Sequence, residues 1–295
     1  MAKKNAAKKI PVDKLRGVMN MGREAEESME EALHISIHVD TTCPRWLAEA
    51  VRDAFVPMRD AVVDVFVLDG HPSVKGVDVG IILCGRSESL IRGAIRSFAG
   101  VRQHVIVMAE TSIDIPETHL PAKLGQFISD VVASEHGPLY ERLANALLDS
   151  TEKDVSCAAN FAFCRDVATA RLVSRVAARN AVMGVADFIP GAGMPLMTMN
   201  QLNMGFDIAA TYGKGLSIAR VPEVAVILAA GFVYRDVARL LLRAVPKLGL
   251  VTRILIAYGG TLVTGKMMAS HFMLLPEGPD DLRRAIEVTP EAVEA

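Results

Sequence analysis

Two textures of hydrophobic and polar positions divide the chain. Between residues 33 and 111, short runs rich in Val and Ile alternate with amphipathic stretches. His34-Ile35-Ser36-Ile37-His38-Val39 predicts a strand, followed by a turn at 40–44 and a helix over 45–55. Residues 62–68 predict a second strand closed by Asp69-Gly70, and residues 77–83 a third closed by Cys84-Gly85. A helix over 87–98 and a fourth strand over 104–108 complete the series. Strands alternating with helices of about 10–15 residues predict a small, mostly parallel sheet with flanking helices. A further helical stretch is expected over 121–148.

After Ser150 the period becomes helical throughout. Residues 154–186 predict one long helix on which Arg171, Arg175 and Arg179 share a solvated face. It must break at Asp187-Phe188-Ile189-Pro190-Gly191-Ala192-Gly193-Met194-Pro195. Helices over 196–211, 222–245 and 248–275 follow, the second of these opening on Pro222 and Glu223, a helix-start signal. The expected class is therefore α/β plus all-α. The expected divisions are a charged flexible tail at 1–31, an α/β domain at 32–150, a helical domain at 151–275 and an acidic tail at 276–295.

Charge refines this picture. Across 295 residues, 32 Lys and Arg face 34 Asp and Glu, a net charge of −2 that excludes a globally basic nucleic-acid binder. Four scattered cysteines exclude a disulfide scaffold. The N-terminus carries Lys3, Lys4, Lys8, Lys9, Lys14 and Arg16 with no apolar segment behind them, so no secretory signal is read there. The excess hydropathy lies in the second half. Over 221–275, Arg235, Arg239, Arg243, Lys247, Arg253 and Lys266 are opposed only by Glu223 and Asp236. An apolar helical pair with that charge suits an anionic bilayer surface. Ala257, Thr261, Gly265 and Ala269 repeat every four residues, a stripe of small side chains that permits close helix packing.

Candidate chemistry is sparse. A triphosphate-binding loop needs glycines for close backbone approach and a lysine for the phosphates. The first strand instead runs into Val39-Asp40-Thr41-Thr42-Cys43-Pro44-Arg45-Trp46, where Asp40 would repel a phosphate and Pro44 lacks an amide. Asp69 and Asp114 stand where a nucleotide site would hold magnesium and base, but each also suits the start of a turn. Cys43 precedes a helix, which can activate a thiol, or it is a small buried residue. Cys157 and Cys164 read as core filler. His34 and His38 share a strand face without a ligand pattern, so neither a metal nor another cofactor is expected. No catalytic constellation stands out.

Residues 179–271 resemble the YcjF-like helical domain found in bacterial membrane proteins and behind many bacterial GTPase domains. The resemblance rests on the 186–195 segment, above all Pro190, Gly191, Gly193 and Pro195, and on Asn200-Gln201-Leu202. Ala210-Thr211-Tyr212-Gly213, the 239–247 stretch and the glycine-rich 256–266 helix add to it. It implies that the first half is a degenerate, G-domain-like pseudo-GTPase unit whose nucleotide motifs are gone.

The expected function is a non-enzymatic, membrane-associated scaffold or interaction protein on the cytoplasmic face of the cytoplasmic membrane, its helical domain docking to or inserting in that membrane. Arg235, Arg239, Arg243, Lys247 and Arg253 would meet anionic headgroups, and the α/β unit would meet a protein partner (a GTPase being one class) or a second copy. Two alternatives stand beside it: a divergent GTP or ATP hydrolase using Asp69 and Asp114, and a cytoplasmic oligomeric helical bundle. No nucleic acid is expected as a partner.

Overall fold

A computed structural model describes residues 12–186, 193–214 and 249–274. The chain falls into two compact units. One comprises residues 28–171 with 211–214, and the other joins residues up to 27 with 172–210 and the later helix.

The first unit is built on five parallel strands: β1 (His34–Val39), β2 (Val62–Val67), β3 (Val79–Leu83), β4 (His104–Ala109) and β5 (Ile128–Val132). Their order is β2-β1-β3-β4-β5. The expected α/β class is thus observed, and the register aligns Ile37 with Val65 on one side and Ile81 on the other. Because the chain steps one way from β1 to β2 and the other way thereafter, right-handed crossovers place helices on both faces. On one face α2 (Arg45–Ala54) and α5 (His136–Asp149) bury Leu47, Val51, Leu139, Leu143 and Leu147 against Ile35, Ile37, Ile81 and Ile106. On the other, α3 (Glu88–Gly100) buries Ile91, Ala94, Ile95 and Phe98 against Ile82, Val105 and Val107. Each such Val, Leu, Ile or Phe side chain contributes about 1.5–3 kcal/mol. Phe98 packs flat onto the strand because residue 80 is glycine; a Cβ there would lie 2.4 Å from its ring.

Two expected helices are corrected here. The segment 121–148 is not one helix: a single turn, α4 (Ala122–Gly125), precedes β5, and only then does α5 begin. Residues 154–186 break at Phe161 into α6 (Asp154–Asn160), a 3-10 turn and α7 (Arg165–Ala186). Cys157, Ala158, Phe161 and Cys164 belong to the core of the sheet's first face, so the α/β unit continues past Ser150 into α7. Cys157 and Cys164 are core residues, as the sequence suggests, on α6 and on the turn after it. Within the charged N-terminus, Val12–Met29 forms helix α1, with Ala25 and Met29 buried.

The second unit contains most of α1, α7 from Leu172 onward, α8 (Gly193–Thr211) and α9 (Gly249–Leu274). A chain of hydrogen bonds runs through it. Asn200 Nδ2 donates to Asn180 Oδ1 at 3.0 Å, Asn180 Nδ2 to Thr261 Oγ1 at 3.0 Å, and the Thr261 hydroxyl to the Ala257 carbonyl at 2.8 Å. The small-residue stripe lies inside this unit. Ala257 and Thr261 are buried, and at Gly265 a Cβ would meet both methyls of Val173 at 2.5 Å. Arg175 and Arg179 are exposed, as expected of a solvated face, and burial and Glu24 push the Asp207 carboxyl up to about 6 while the two guanidiniums hold it down. Among the described residues, no helix is long and apolar enough to cross a membrane.

Candidate functional site

In a parallel sheet of this order, ligands bind beyond the strands' carboxyl ends where the winding reverses, here between β1 and β3. The loops at that point are joined to each other. Asp40 follows β1 and is almost fully buried. Its Oδ1 accepts from the Thr42 amide (2.9 Å), the Thr42 hydroxyl (2.9 Å) and the Ser87 hydroxyl (3.1 Å). Its Oδ2 accepts from the Ser87 amide at 2.9 Å, at the start of α3. Thr42 Oγ1 in turn accepts from the Arg86 amide at 2.7 Å.

The Ser87 amide at the start of α3, one that a phosphate there could use, is therefore already engaged by a carboxylate of the chain itself. Burial pushes the Asp40 carboxyl up, but four hydrogen bonds from Thr42 and Ser87 outweigh it and hold the group below its ordinary range. Gly85 completes the closure. A Cβ there would fall 2.3 Å from Thr42 Oγ1 and 2.7 Å from the Cys43 nitrogen, so the two loops can touch only because the side chain is hydrogen. The sequence identified Asp40 as hostile to phosphate; the structure adds that its carboxylate ties the loop after β1 to the start of α3.

Around this closure lie groups with little reactivity. Burial, then Asp40 and Glu110, raises the Cys43 thiol to about 11, opposite to the activation a helix start can give. The Trp46 indole N–H donates to Glu110 Oε1 at 3.2 Å, and its ring stands 5.4 Å from that of His136. Asp69 accepts from the His71 amide at 3.2 Å, and Asp114 caps its own turn through the amide and hydroxyl of Thr111. Each carboxylate is used within its own loop, and no hydrogen bond or ion pair joins them. Among the described residues, no three His, Cys, Asp or Glu side chains are grouped to hold a metal ion.

The two strand histidines have separate roles. His34 bonds Asp64 Oδ2 on β2 through Nε2 (2.8 Å) and the Gly76 carbonyl through Nδ1 (2.9 Å). His38 is buried between Phe66, stacked at 5.4 Å, and Phe98, edge-on at 5.6 Å; Nε2 contacts Ser36 Oγ and Nδ1 has no partner. Burial lowers its pKa and Asp69 raises it, with burial prevailing. An unfolded chain takes up a proton near the ordinary 6.5 that folded His38 refuses, so its contribution is intact above that pH and is lost as pH falls below it. The stability that His38 contributes should fall between pH 7.5 and about 5, so the thermal midpoint of the wild type should lose more over that interval than that of His38→Leu. His104, also lowered by burial, adds to the fall, and Asp207, raised to about 6, opposes it.

A second candidate region lies on α9. Opposite its buried Ala257, Thr261, Thr264, Met268 and Phe272, the helix exposes Leu255, Val263, Met267, Met273 and Leu274, together with Lys266 and Ser270. Such a concentration of exposed apolar side chains is unusual on a free surface. Of the residues expected to meet lipid, Arg235, Arg239, Arg243 and Lys247 lie outside the described residues, as do Pro190 and Gly191. The backbone of Arg253 is in α9, and Gly193 and Pro195 are in the first turn of α8. Ala269, the last member of the small-residue stripe, is half-buried.

Comparison with family models, curated proteins and solved structures finds no match to this chain.

Proposed function

We propose that the protein is a non-enzymatic scaffold that docks from the cytoplasmic side onto an anionic membrane surface and offers its α/β unit to a protein partner. The exposed apolar stripe of α9 carries this reading. A helix that is apolar outward as well as inward needs a second apolar medium, and the six Lys and Arg of 221–275 select an anionic one. Among the described residues no helix is long and apolar enough to cross a membrane, and the proposed mode is docking onto, or insertion from, one side. The likeness of 179–271 to the YcjF-like domain supports the same reading. For the α/β unit, the carboxylate of Asp40 in the winding crevice argues against triphosphate binding there.

Flotation of the full-length protein with vesicles of phosphatidylcholine, with and without phosphatidylglycerol, tests the proposal. Binding should require the anionic lipid and weaken with salt. Val263→Glu with Met267→Glu should abolish it, and Arg239→Glu with Arg243→Glu should weaken it at least about tenfold, at roughly 1 kcal/mol per surface cation. Binding left unchanged by both pairs would remove the membrane role and favour a soluble bundle.

A further inference from the structure

We infer that β2 is a dimerisation edge, joining two copies of this chain into one continuous sheet by antiparallel β2–β2 pairing centred on Val65. Among the described residues the strand has only β1 beside it. The Val62 amide donates to the Leu33 carbonyl and the Leu68 amide to the Val39 carbonyl, each at 2.8 Å. With the period of two of a strand, the amides and carbonyls of Val63, Val65 and Val67 point away from β1 along the open edge.

Side chains on both faces of this strand lie open. Val65 and Val67 are 64% and 70% exposed on one face, and Val62 and Phe66 are each 50% exposed on the other. Edge strands are ordinarily protected by charge, proline or a covering element. The one charge on β2, Asp64, is bonded to His34 within the unit. The opposite edge differs, since β5 carries an exposed Asp130 at its middle.

The identity of the occupant follows from the strand's own sequence, Val-Val-Asp-Val-Phe-Val. A two-fold axis perpendicular to the sheet keeps each face on its own side, so the pairing must centre on a residue. Centring on Asp64 sets two carboxylates directly opposite, which is destabilising. Centring on Phe66 extends the pairing to Asp69, beyond the strand. Centring on Val65 engages every outward amide and carbonyl of Val63, Val65 and Val67. It also sets Val63 against Val67, Val65 against Val65 and each Asp64 beside Phe66. Of these three registers only that one is both apolar and free of like-charge contact within the strand, and it is self-complementary, as an isologous interface must be.

Sedimentation velocity of the full chain without lipid tests this. The wild type should run at twice the 31.7 kDa of the chain. Val65→Pro removes one outward amide without touching the β1 ladder, and Val65→Lys puts a charge at an exposed position; both should run as monomers with unchanged circular dichroism. Val101→Lys, an exposed site elsewhere, should remain dimeric. A monomeric wild type, or a dimer that survives Val65→Pro and Val65→Lys, would overturn the inference.

Discussion

Asp40→Ala is expected to destabilise the α/β unit by about 3 kcal/mol, seen as a lower denaturant midpoint with an unchanged slope. The carboxylate is the shared acceptor of two hydroxyls and two amides from loops after different strands. Without it the hydroxyls can turn to other partners, but the amides of Thr42 and Ser87 are left unsatisfied beside the core, at about 1–3 kcal/mol each. Asp40→Asn keeps one acceptor oxygen and turns an amide donor toward the other site, so it should recover only part of the loss. The pH dependence has a definite sign. Because the folded carboxyl titrates below its ordinary 3.8, its contribution is complete above that value and is lost as pH falls through the folded pKa. The acid limb of wild-type stability should therefore be steeper than that of Asp40→Asn. A loss below about 1 kcal/mol in Asp40→Ala would mean that the loops hold together without the carboxylate.

The second large effect is expected at Gly265. A Leu there should destabilise the helical unit by about 3 kcal/mol, the upper part of the range for overpacking, and speed amide exchange along α9. The cause is specific. Val173 presents both methyls at 2.5 Å from the position of a Cβ, and a β-branched side chain in a helix has little freedom to turn away. Gly265→Ala is the sharper comparison, since helix propensity alone would favour Ala by about 1 kcal/mol. A net loss from Ala, relieved by Val173→Ala in the same chain, would place the cost in that contact, as a double-mutant cycle resolves it. A gain in stability from Ala would show that α7 can yield there.

Four strands could be read from the sequence because their β-branched runs are bounded by turn residues. The fifth, Ile-Ser-Asp-Val-Val, is short, interrupted by Asp130 and set between helix-forming stretches, so local pattern merged it with α5. The acidic block around Glu24–Glu31 hid a helix for a related reason. Charge dominates its composition, while the informative positions are Ala25 and Met29, one turn apart and buried. Helical periodicity over 154–186 identified helix but not which body the helix serves; only the packing of Phe161 and Cys164 on the sheet decides that. At the winding crevice, the missing glycines and lysine were visible at once. Ser87 was not, because it meets Asp40 across 47 residues and no local signal marks that pairing. The side chains of the 235–247 basic stretch lie outside the described residues, so there the sequence stands by itself.

The bonded row from Asn200 through Asn180 to Thr261 has a consequence for α9. Helices held together by methyl groups alone can turn or slide against one another at small cost, because dispersion is indifferent to which methyl meets which. A buried amide is not indifferent: a modest rotation of α9 would carry the Thr261 hydroxyl away from Asn180 and strand polar atoms in an apolar interior. The row thus acts as a phase key for the helix, fixing its azimuth and with it the direction in which Leu255, Val263 and Met267 are offered.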